Sequence, residues 1–105
     1  MHIISHKRLK EFWLKHPDAE PALHTWYIRT KLAHWRNLAE LKRTFSTADQ
    51  VARLTVFNVG GNNYRLIARV EFERQEVYIR AVLTHAEYDK GVGKMISVLM
   101  QLTWS

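Results

Sequence analysis

The feature that most limits what this chain can become is a single change of hydrophobic period near residue 50. Upstream, apolar residues recur three and four apart: Leu9, Phe12, Trp13 and His16, then Leu23, Trp26, Tyr27 and Thr30. That spacing places each set on one side of a helix. Downstream the period is two, as half-buried strands require. The 105 residues have room for one domain, 1–105, so helices and strands must share a core. The expected class is α+β, with N-terminal helices packed on one face of a three- to four-stranded antiparallel sheet. With 47% hydrophobic and 25% charged residues, the composition is that of a folded globular protein.

Local signals set the elements. His2 to Ile4 reads as a short edge strand. Ser5 is a candidate cap for a helix to about His16, which Pro17 stops. A second helix is expected over Glu20 to His34, with Pro21 in its first turn. Asn37 and Glu40 suggest a reciprocal cap on a third, Leu38 to Phe45. Ser46 to Ala52 reads as a turn or short helix. Three strands follow, Leu54 to Val59, Tyr64 to Phe72 and Glu76 to Leu83, joined by short polar turns that imply antiparallel hairpins. Thr84, with Glu87 three residues on, marks a short helix or ordered turn to Lys90.

Alternation sorts the sheet. Tyr64, Leu66, Ala68, Val70 and Phe72 point to one face, and Val77, Ile79, Ala81 and Leu83 are expected to join them. Arg65, Ile67, Arg69 and Glu71 point the other way, with Tyr78, Arg80 and Val82 opposite the apolar set of their strand. That second face is expected to stay open to water. It carries three arginines, in a chain whose net charge is +6. Such a face is either an ordinary solvated surface or one that binds a polyanion, since guanidinium forks onto phosphate oxygens. Beside it, Thr84-His85-Ala86-Glu87-Tyr88-Asp89-Lys90 packs a His, a Tyr, two carboxylates and a Lys into seven residues. The bland reading of that run is a capped turn in water; the functional one is a set of proton-transfer groups.

Other classes drop out. With no Cys there is no disulfide framework, iron–sulfur cluster or thiolate zinc site. The six His show no convincing ligand spacing, so no metal and no cofactor are expected. The N-terminus lacks the apolar core of a secretory signal. Met95 to Trp104 is too short and too interrupted to span a membrane. A soluble, cytoplasmic protein is expected.

Two long runs carry a family resemblance: Val56-Phe57-Asn58-Val59-Gly60-Gly61-Asn62-Asn63-Tyr64-Arg65-Leu66-Ile67-Ala68, and Tyr78-Ile79-Arg80-Ala81-Val82-Leu83-Thr84-His85-Ala86-Glu87-Tyr88-Asp89-Lys90. In order and spacing they resemble the HigB family of toxins from bacterial toxin–antitoxin systems. Trp35, Leu41 and Phe45 to Asp49 resemble the family's helical half, and the likeness covers about residues 1–90. It implies a RelE-like fold and a ribonuclease that cleaves mRNA, usually on the ribosome. It also implies a HigA-type helix-turn-helix antitoxin, in a complex expected to be a heterotetramer. The tail, residues 91–105, departs from the family pattern: Gly91-Val92-Gly93-Lys94 leads into an apolar end.

Metal-free RNA cleavage uses the 2′-OH as nucleophile and needs a base, an acid and cations for the charge growing on phosphorus. The expected cations are Arg65 and Arg80, on adjacent strands. The acid–base candidates are His85 and Tyr88, three apart on a helical turn. Arg69, Tyr78, Asn62, Asn63 and Lys90 are expected RNA contacts. Two other classes compete: a basic module that binds RNA without cutting it, and an interaction protein whose charge is incidental. The titratable pair beside the arginines favours the enzyme, because a binder has no need of it.

Overall fold

The computed structural model describes residues 1–91. The chain runs β1 (His2–Ile4), α1 (His6–Lys15), a 3-10 turn at Pro17–Ala19, α2 (Glu20–Leu32), α3 (Leu38–Thr44), β2 (Asp49–Val51), β3 (Leu54–Val59), β4 (Tyr64–Glu71) and β5 (Glu76–Thr84). Residues 85–91 are helical. The fold is α+β, as the period change implies. The unusual tail lies outside the described residues beyond Gly91. Among the described residues no helix is long and apolar enough to cross a membrane.

The sheet has five strands in the order β1-β5-β4-β3-β2. β3, β4 and β5 form the expected antiparallel meander. Two edges extend it. β1 pairs in parallel with β5, Ile3 opposite Val77. Its start is pinned by the N-terminal ammonium, which donates to the carbonyls of Ala33 (2.7 Å) and Lys31 (3.2 Å) at the end of α2. β2 pairs antiparallel with β3, where a turn or short helix was expected. Three residues are too few to show a period of two, and the hairpin closes through Ala52 at φ 55°, a conformation that an alanine does not advertise.

One face carries the main core. Leu9 of α1 and Leu23 and Trp26 of α2 pack on Phe57, Leu66, Ala68, Val77 and Ile79, all at most 2% exposed. Trp26 and Phe45 each meet Phe57 edge-on, at 5.4 and 5.3 Å between ring centroids. Two expected caps differ in detail. Ser5 sits at φ 75°, in the left-handed region rather than the extended one of a capping residue, and its side chain makes no cap bond. Asn37 does cap α3, accepting the Glu40 N–H at 3.0 Å. The Glu40 carboxylate, however, takes the N–H of Arg36 at 2.7 Å rather than that of Asn37.

The second face departs from expectation. Pairing shifts from Ile67↔Ala81 to Ala68↔Ile79, so Arg80 is an extra residue in β5. Such a bulge breaks the alternation of the strand. Val77 and Ile79 face the helices as anticipated, but Val82 joins them, while Ala81 and Leu83 turn to the far side. There, with Leu54, Val56 and Ile67, they form a second apolar cluster under the Tyr88 ring. The middle of this face is therefore buried rather than open to water.

Candidate active site

The site forms where the β3–β4 turn meets the end of β5. Gly60 and Gly61 lie at φ +64° and +65°, the left-handed region that a tight hairpin needs and glycine supplies cheaply. A Cβ on Gly60 would stand 3.3 Å from the Tyr64 ring, so space as well as backbone calls for glycine. Across from the turn, the expected capping box is present. Thr84 N–H donates to Glu87 Oε1 at 2.9 Å, and Glu87 N–H donates to Thr84 Oγ1 at 3.2 Å. The Thr84 N–H, as the largest influence, holds the Glu87 carboxyl below its ordinary pKa. His85 N–H then donates to the Asn63 carbonyl at 2.8 Å, which ties the helix start to the turn.

Arg65 is the hub. It is 8% exposed, although its place on the second face suggested an open cation. Nη1 donates to the carbonyls of Asn62 (3.1 Å) and Tyr64 (3.2 Å), and Nη2 donates to Asn62 Oδ1 at 2.6 Å. Nη2 also lies 3.0 Å from His85 Nδ1. Guanidinium can only donate, so Nδ1 accepts and the ring proton sits on Nε2. Nε2 is 2.8 Å from Asp89 Oδ2. The Tyr88 ring lies under the guanidinium, 5.6 Å from Cζ. Arg65, His85, Tyr88 and Asp89 thus meet in one cluster. It borders an open groove of about 680 Å³ lined by His16, Asn62, Asn63, Tyr64 and His85 among others.

Arg80 does not join that cluster. Arg65 is opposite Leu83, and Arg80 lies three residues back along β5, roughly 10 Å at strand rise. Its neighbours are Arg69 and Tyr78, which pair across the strands. The Arg69 and Arg80 guanidinium carbons lie 5.3 and 5.5 Å from the Tyr78 ring centroid. Arg69 also donates from Nε to Glu71 at 2.6 Å, and Tyr78 donates to Glu76 at 2.8 Å. The structure therefore sorts the sequence candidates into two groups. Asn62 serves Arg65, Asn63 serves the helix start through its carbonyl, and Lys90 is exposed on the helix over 85–91. Asp89, one of the two carboxylates in that run, is the member to which sequence reading gave no role of its own. Its signal was its place four residues after His85 on a helix whose cap was legible. Among the described residues no group of three or more His, Cys, Asp or Glu is placed to hold a metal ion.

Comparison with known proteins decides the family. Residues 19–91, from the start of α2 through the helix that carries His85, match HigB_toxin, described as the RelE-like toxic component of a toxin-antitoxin system. The chain belongs to the HigB toxin family. It is 39% identical over 92 residues to the mRNA interferase toxin HigB of Escherichia coli K12, covering 85% of this chain and 88% of that protein. The mRNA interferase HigB of Shigella flexneri matches to the same extent. That of Escherichia coli O6:H1 is 34% identical over 93 residues, 86% of this chain and 90% of the relative. The matched span of this HigB family member contains both arginine groups and the His85 cluster.

Proposed function

We propose that this HigB family member is the toxin of a toxin–antitoxin pair and an endoribonuclease that cleaves mRNA without a metal, on the ribosome. The observation that carries the reading is the buried Arg65, held by carbonyls and an imidazole rather than by a carboxylate. Its charge is left for an anion, and that anion would arrive beside a titratable ring. A phosphate drawn to Nη2 competes with His85 for that donor and frees Nδ1. Nδ1 then takes the 2′-OH proton, the 2′ oxygen attacks phosphorus, and the P–O5′ bond breaks. Asp89 on Nε2 stabilises the imidazolium that forms, and Tyr88 gives the departing 5′ oxygen its proton. The products are a 2′,3′-cyclic phosphate and a 5′-OH. Arg69, Tyr78 and Arg80 hold the strand, by charge and by stacking.

A HigA-type helix-turn-helix antitoxin in a heterotetramer and a cytoplasmic setting complete the proposal, in keeping with the family. The test is a pair of shape-preserving variants. His85→Gln and Tyr88→Phe should each lower cleavage by about 10²-fold or more, the scale of a lost acid or base, while RNA binding holds. If Phe replaces Tyr88 without loss, the tyrosine only stacks. If the parent binds RNA but never cuts it, with or without ribosomes, the protein is a non-catalytic RNA-binding module.

A further inference from the structure

We propose that the groove between α1 and β5 is a phosphate track for the RNA strand beside the cleaved bond, with Arg8 and Lys15 as its new contacts. This rests on the RNA-cleaving reading above. The groove, of about 290 Å³, is lined by Arg8, Phe12 and Lys15 on the helix side and by Arg80 and Val82 on the strand side. Arg8 and Lys15 are seven residues apart, two turns of helix, and so share a face about 10 Å long. Glu11 lies between them as the one acid in a lining with three cations.

Two observations point to an anion. Arg80 Nε is buried and has no hydrogen-bond partner among the described residues. A buried guanidinium donor left unmatched is costly, and because Nε is closed to solvent, a phosphate oxygen would match it once the half-buried Arg80 side chain turns toward the groove. Burial, as the largest influence, and then the nearby Arg69 and Arg8 lower the Arg80 pKa, so other cations stand close to this one. A third observation favours RNA over an acidic peptide. Phe12 connects this groove to the active site, stacking on His16 at 4.5 Å and meeting Tyr64 edge-on at 5.5 Å. His16 and Tyr64 in turn line the groove beside His85. A run of cations followed by stacked rings is the pattern that tracks a single strand.

The experiment uses the full chain and RNA blocked by a 2′-deoxy group at the cleaved position, so binding is read without cleavage. A short RNA spans the cleaved bond alone; longer ones extend it on either side. In the parent, extension on one side should tighten binding. In the Arg8→Ala/Lys15→Ala double variant that gain should shrink by about tenfold, and the slope of log K against log salt should fall by about 1.4, for two contacts on a single strand. Both residues are exposed, so the fold is not at risk. An undiminished length gain overturns the proposal. So does a variant that keeps the gain but loses the antitoxin, which would make the groove a protein-docking surface. A parent that shows the length gain but never cleaves would refute the catalytic reading and leave the track standing.

Discussion

Replacing Asp89 by Asn separates charge from shape at the active site. Asp89 Oδ2 lies 2.8 Å from His85 Nε2, with side-chain exposures of 58% and 44%. Asn keeps an oxygen that can accept the Nε2 proton, so the ring stays oriented. What is lost is the negative charge opposite the imidazolium that the proposed deprotonation of the 2′-OH would form. An exposed i,i+4 pair contributes only about 0.3–0.5 kcal/mol to stability, so the melting temperature should move by less than about 3 °C. Cleavage should fall further, by about tenfold to a hundredfold, because the charge acts on a transition state and not only on the resting fold. Asp89→Ala, which removes orientation too, should fall at least as far. Single-turnover cleavage of a short RNA and a thermal melt read both quantities. Full cleavage by Asp89→Asn would remove Asp89 from the mechanism. A large loss of stability with unchanged cleavage would make the pair purely structural.

Arg65 should behave differently because it is buried. Arg65→Ala leaves two carbonyls and the Asn62 amide oxygen without their donor, and should cost about 1–3 kcal/mol in urea unfolding as well as cleavage. Arg65→Lys restores the charge but not the fork, so its cleavage should stay low; a Lys variant as active as the parent would refute the bidentate role. Acid should loosen α3. The Arg36 side chain, with help from the Arg36 N–H, holds the Glu40 carboxyl at about 2 against an ordinary 4.5. The unfolded chain thus binds this proton first as pH falls. The stabilisation is complete above about 4.5 and is lost as pH drops toward 2, a limb that Glu40→Gln should remove from an acid titration.

Much of this was legible in the sequence, and the failures have physical causes. Alternation placed Tyr64, Leu66, Ala68 and Val70 correctly because β4 faces regular partners along most of its length. It misplaced Ala81, Val82 and Leu83 because one bulge at Arg80 reverses every later side chain, and a bulge leaves no mark on a hydrophobic pattern. The helix over 85–91 was readable from Thr84 and Glu87, since a capping box is a local device. Arg65 looked like a surface cation because an arginine opposite an apolar set usually is one. Its guanidinium is held by the Asn62 carbonyl and amide oxygen and by His85, contacts made by the turn and the helix start that the strand pattern does not show. The expected pairing of Arg65 with Arg80 rests on adjacent strands, a shared face and the family resemblance, and none of these fixes the register that sets Arg65 opposite Leu83.

The chemistry of the cut ends tests the account most directly. If the 2′-OH attacks under the Arg65–His85–Tyr88 cluster, as proposed, the ends should be a 2′,3′-cyclic phosphate and a 5′-OH, in EDTA as well as without it. An RNA with a 2′-deoxy group at the cleaved position should not be cut at all. Products with a 3′-OH and a 5′-phosphate, or cleavage of the deoxy-blocked RNA, would mean that water and not the 2′-OH is the nucleophile, and would contradict the mechanism built here on Arg65 and His85.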